Sequence, residues 1–157
     1  GPSGSGVFFS SPHPAPTPIN VSLGFALGHG DNNWGEMFGI YVLLLLVVEF
    51  YDSVEGLLCP DLPAFRFSDS LSCICYLTDN WANPTEKGLA RATRKLYRSI
   101  IERHPRFRIY WVKGHSNISG NNEADRKAGQ GSKYSMEYQN DGIVCVDDNT
   151  DNLALMC

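Results

Sequence analysis

The chain predicts an α/β domain, and three observations predict it. Short runs of strand length, several rich in β-branched or aromatic residues, are interleaved with longer segments of helical spacing. The longest apolar run, residues 40 to 48, sits inside one of those longer segments, as expected of a helix buried on all sides. The chain has 157 residues, 43% of them apolar, which suits one domain with a substantial core.

Taken in order, strands are expected near residues 6 to 11 and 19 to 28. Pro12, Pro14, Pro16 and Pro18 keep the stretch between them extended and outside regular structure. A long helix from about 34 to 54 follows, then a loop over 59 to 63, a strand at 64 to 68 and a helix at 70 to 80. Asn83-Pro84-Thr85-Glu86 starts a helix running to about 103, with Leu89, Ala92, Leu96 and Ile100 on its inner face. Residues 106 to 112 read as a strand and 121 to 131 as the last helix. Residues 142 to 149, Gly-Ile-Val-Cys-Val-Asp-Asp-Asn, form one more β-branched run, reached through a connector over 131 to 141. Residues 150 to 157 are a tail. No internal repeat is visible.

Cys59, Cys73, Cys75, Cys145 and Cys157 show neither the spacing of a disulfide framework nor that of a zinc site, so reduced thiols in an intracellular protein are expected. The apolar run is short of the roughly 20 residues needed to cross a bilayer, and no secretory signal is apparent. The formal charge of −4 conceals an asymmetry: no Lys or Arg precedes Arg66, whereas residues 87 to 133 hold twelve against the three acids Glu102, Glu123 and Asp125. Arg91, Arg94, Lys95 and Arg98 recur at helical spacing, a basic face suited to phosphates or simply a solvated surface.

Chemistry concentrates in three places. Residues 111 to 129 place a Gly/His/Ser/Asn loop before a helix bearing Glu123 and Asp125, with Asn121 or Asn122 available as its cap. Asn-Asn-Trp-Gly-Glu at 32 to 36 opens the long apolar helix, and Phe-Arg-Phe-Ser-Asp-Ser at 65 to 70 ends a strand in an acid that opens another helix. Taken singly, the last two would serve as helix caps.

In this order the three segments resemble the ribonuclease H family. Trp111, Gly114, His115, Gly120, Asn121, Ala124 and Asp125 match its last motif. Asn32, Asn33 and Glu36 match its Asn-Asn-x-x-Glu, with Gly35 where Ala is usual, and Asp69 matches its third acid. The resemblance covers residues 1 to 131 directly and is similar in style to the domains of retroelement reverse-transcriptase polyproteins. It implies a mixed five-stranded sheet with helices on both faces. It also implies an endonuclease that hydrolyses the RNA strand of RNA–DNA hybrids with two Mg²⁺ or Mn²⁺ ions. Such hard cations take oxygen ligands and sit about 4 Å apart across the transferring phosphoryl group. Glu36, Asp69 and Asp125 would be ligands, His115 would assist proton transfer or product release, and Asn32, Asn33 and Asn121 would touch substrate, with 2′-hydroxyls marking the RNA strand. A monomer is expected, with the hybrid as its partner and no membrane.

The family's first strand and first acid are not at the start of the chain, where residues 1 to 9 resemble its second strand; a flexible Gly/Ser linker over residues 1 to 6 is the other reading. The run at 142 to 148 is similar to that first strand, which suggests a circular permutation placing it in the middle of the sheet and supplying Asp147, or Asp148, as the fourth ligand. A disordered acidic tail reads equally from Asp147, Asp148 and Asp151. Two further functions fit a degenerate site: an inactive module of this fold that binds hybrid or duplex nucleic acid, and a protein-interaction domain from a broken element.

Overall fold

The computed structural model describes residues 1–10, 20–30, 32–52, 65–68, 71–79, 87–111 and 119–146. Its elements are β1 (Pro2–Ser10), β2 (Asn20–His29), α1 (Asn32–Tyr51), β3 (Phe65–Ser68), α2 (Leu71–Asp79), α3 (Lys87–Arg103), β4 (Arg108–Trp111), α4 (Ser119–Tyr138) and β5 (Val144–Cys145). The architecture is mixed α/β with four helices among the described residues. Among the described residues the strands form an antiparallel sheet in the order β1-β2-β5 and a parallel pair β3-β4, and one sheet of five is not seen.

Alternation along β1 explains what packs on each face of the first sheet. Ser3, Ser5, Val7 and Phe9 are buried toward α1, while Gly4 and Gly6 turn toward α4. A Cβ at Gly35 or Gly39 of α1 would meet Ser3, Gly4, Ser5 and Gly6, and Phe38 stacks edge-on against Phe25 of β2 at 5.2 Å. Phe50, near the other end of α1, lies 6.2 Å from Phe9, so α1 runs in the direction of β1. As expected for an all-round apolar helix, α1 is buried on several sides, with Met37, Leu44, Val47 and Phe50 all in the core. It packs against β1, α3 and α2.

On the opposite face α4 lies almost backbone to backbone on β1 and β2. A Cβ at Gly6 would run into the Ala124 carbonyl, one at Gly4 into the Ala128 carbonyl, and one at Gly131 into the Phe25 carbonyl. Only glycine permits this approach. Gly120 sits over Phe8, Ala124 over Gly6 and Ser135 beside Ser3, so α4 runs opposite to β1. The ladder is irregular between Ser3 and Gly4, where Leu27 has no partner across the strand. The fully buried Ser135 hydroxyl repairs that point, accepting from the Gly28 N–H at 2.9 Å and donating to the Ser3 carbonyl at 2.8 Å.

The fold corrects several expectations. The strand expected from about residue 6 starts at Pro2, in keeping with the resemblance of residues 1 to 9 to a strand and against the linker reading. The last helix starts at Ser119, which puts Asn121 inside it, and continues to Tyr138 through most of the expected connector. It ends at Gln139, whose φ of 49° is the left-handed conformation that stops helices. Leu89, Leu96 and Ile100 face the core as expected, but Ala92 is exposed, and Ala90, Thr93 and Tyr97 complete the inner face of α3.

The tail does not become a central strand. Among the described residues β5 pairs antiparallel with β2 at the edge of the sheet, through Phe25↔Cys145 and Ala26↔Val144, with a further bond from the Val146 N–H to the Gly24 carbonyl. The direction of α4 gives the reason. The helix delivers the chain to the end of the sheet where β1 starts and β2 finishes, where Asn140 donates to the Ala26 carbonyl at 3.0 Å and steers it onto the outer side of β2. Cys145, expected as a reduced thiol, is disulfide-bonded, whereas Cys73 and Cys75 are in the thiol form.

Candidate functional site

The second and third motifs are brought together. α1 opens with Asn32 and Asn33, and α2 opens two residues after Asp69. The two helix starts touch: Ser72 Oγ donates to Asn33 Oδ1 at 3.5 Å, and Cys73 Sγ lies 4.0 Å from the Asn33 carbonyl. Glu36 follows in α1 and is exposed to solvent. Immediately upstream, β3 ends at Ser68 and pairs in parallel with β4, with Ser68 opposite Trp111. The strand that leads into Asp69 and the strand that leads into the His115 loop therefore finish side by side. Asp69, His115, Asp147 and Asp148 themselves lie outside the described residues.

The helical part of the final motif is placed elsewhere. Asp125 is exposed on α4, next to Ala124, which lies over Gly6, while Gly35, the neighbour of Glu36, lies at Ser3 and Gly4 on the other face of the sheet. α1 and α4 begin at opposite ends of β1. The glycine rows decide this, because Gly35 and Gly39 let α1 approach one face of β1 and Gly4 and Gly6 of β1 accept α4 on the other. Glu36 and Asp125 thus have a sheet between them and do not share an ion, so the described carboxylates do not fit a common two-ion site. Among the described residues no three of His, Cys, Asp and Glu are grouped to hold a metal.

Glu123, which the sequence marks only as a helix-start acid, has a defined role. Its carboxylate accepts from Ser22 Oγ at 2.7 Å and from Arg126, Nη2 at 2.6 Å and Nε at 3.0 Å. These charge-assisted bonds hold its pKa down to about 2, the Arg126 guanidinium contributing most and Ser22 next. The Arg126 partner at i+3 was legible in the sequence; Ser22, 101 residues away, was not.

The basic face of α3 is present with one change. Arg91, Lys95 and Arg98 are exposed, but Arg94 folds back over Tyr76, its guanidinium 3.6 Å from the ring centre. Nε and Nη2 of Arg94 donate to the Tyr76 carbonyl at 3.2 and 2.9 Å. Arg94 ties α3 to α2 rather than facing solvent. Helical spacing could not reveal this, because Tyr76 is on another helix.

No family model matches the chain, and no curated protein matches it.

Proposed function

We propose that this chain is a ribonuclease H-type domain that engages RNA–DNA hybrids and hydrolyses their RNA strand. The observation that carries the reading is the meeting of the α1 and α2 starts at Asn33, Ser72 and Cys73, with β3 and β4 finishing in parallel beside them. It sets the Asn-Asn-x-x-Glu helix against the helix that follows Asp69, in the chain order of the resemblance. Glu36 and Asp69 are the acids the reading assigns to this corner, and Asn33 is the substrate contact it offers. Glu36 and Asp125 stand on helices that pack against opposite faces of the sheet, so these two acids would not hold one ion between them.

That separation favours a second reading, a domain of this type that binds hybrid without cutting it. One assay decides between them: a hybrid labelled on its RNA strand, incubated with the full chain and Mg²⁺ or Mn²⁺, with and without chelator. Metal-dependent cleavage that is lost in Glu36→Gln and in Asp69→Asn supports the nuclease. Binding with no cleavage under either metal supports the second reading, and cleavage undiminished by chelator overturns the assignment of the acids.

A further inference from the structure

We propose that the outer face of α3 is a docking surface for the phosphate backbone of a nucleic-acid duplex, gripping it through Arg91, Lys95 and Arg98. Residues 91, 95 and 98 follow an i, i+4, i+7 pattern, which places them within one narrow stripe of the helix. They span about 10 Å at 1.5 Å per residue. The stripe lies opposite the side that carries Ala90, Thr93 and Ile100, all nearly inaccessible, so core packing pins its direction. Arg94 strengthens that rigidity by clamping α3 onto Tyr76 of α2.

Charge identifies the occupant. All three side chains are exposed, and the first three turns of α3 carry no acid. The stripe ends at the exposed Glu102, one turn beyond Arg98, and the exposed Arg103, Arg106 and Arg108 follow just past it, Arg103 paired with Asp52 at 3.9 Å. A rigid row of cations over about 10 Å suits successive phosphates of a backbone and carries no base-reading geometry, so binding there is insensitive to sequence. The identity of the duplex as a hybrid rests on the function proposed above; the docking surface does not.

The test is the salt dependence of full-chain binding to a fluorescent RNA–DNA hybrid, read by anisotropy. Each neutralised phosphate contributes about 0.9 to the slope of log K against log salt, so the triple variant Arg91→Gln, Lys95→Gln, Arg98→Gln should flatten that slope by roughly 2.7. Between 50 and 200 mM salt this corresponds to about 40-fold less weakening of affinity. Lys133→Gln, an exposed charge on α4, should leave the slope unchanged. Glu102→Lys should extend the stripe by a turn and steepen the slope by about 0.9, a gain that misfolding cannot mimic. Unchanged slopes in both the triple variant and Glu102→Lys overturn the proposal, as does displacement of the hybrid by phosphatidylserine vesicles at equal phosphate concentration. A flattened slope without metal-dependent cleavage leaves this surface standing and removes the nuclease; cleavage with an unchanged slope does the reverse.

Discussion

At the scale of single residues, two side chains hold α4 to the sheet by opposite means. Ser135 is neutral and fully buried, and its one hydroxyl satisfies a donor and an acceptor at the irregular point of the β1-β2 ladder. Replacing it by Ala strands the Gly28 N–H and the Ser3 carbonyl, each buried unsatisfied group costing about 1–3 kcal/mol. Ser135→Ala should therefore lower the urea midpoint clearly, with the slope of the transition unchanged. Glu123 is charged and partly exposed, and its contribution depends on pH. Its folded pKa of about 2 lies below the unfolded value of about 4.3, so the stabilisation is complete above the latter and is lost as pH falls toward the former. Urea midpoints measured between pH 5 and pH 2.5 should fall less steeply in Glu123→Gln than in the parent chain. An identical acid limb in the two proteins would show that the Ser22–Glu123–Arg126 cluster does not couple to folding.

At the scale of elements, the contact between α4 and β1 rests on missing side chains. Gly6→Ala places a methyl on the Ala124 carbonyl, so α4 must lift from the strand; overpacking of this kind costs about 1–3 kcal/mol. Gly129, on the exposed side of the same helix, has open space where a Cβ would go. Gly129→Ala should stabilise by roughly 0.5–1 kcal/mol, since glycine in a helix interior is the less favourable residue. Thermal unfolding of the two variants should therefore shift in opposite directions, and a shared direction would refute the close-packed face. The glycines were plain in the sequence. Their purpose was not, because the spacing of Gly4 and Gly6 has meaning only once a helix lies across them.

At the scale of the whole molecule, the consequence concerns the tail. A central strand could not be removed without unfolding the domain, whereas β5 is a two-residue edge held by the pairs at Phe25 and Ala26, by the Val146 N–H bond to the Gly24 carbonyl and by the Cys145 disulfide. A chain ending at Gly142 also loses the Cys145 disulfide, so it should stay folded and cooperative by circular dichroism with a midpoint lowered mainly by the roughly 2–4 kcal/mol that such a cross-link contributes. Loss of the cooperative transition would mean that the tail carries more of the fold than its pairing indicates.

The sequence by itself determined the class of each element and most of its extent. The apolar run in α1, the amphipathic spacing of α3, the β-branched strands and the polar breaks are local patterns, and locally encoded preferences survive folding. The starts of α1 and α2 fell within about two residues of their expected places, whereas α4 begins at Ser119 and runs to Tyr138, beyond both of its expected ends. Only the tertiary structure decided direction and adjacency. α4 crosses the sheet opposite to β1, which sets Asp125 apart from Glu36 and sends the tail to the outer edge of β2. Arg94 turns from the solvent to Tyr76. These outcomes depend on glycine rows on different strands and helices meeting across a sheet, and on a carbonyl supplied by a neighbouring helix. No spacing within one segment encodes such non-local contacts, because their energy exists only when both partners are in place.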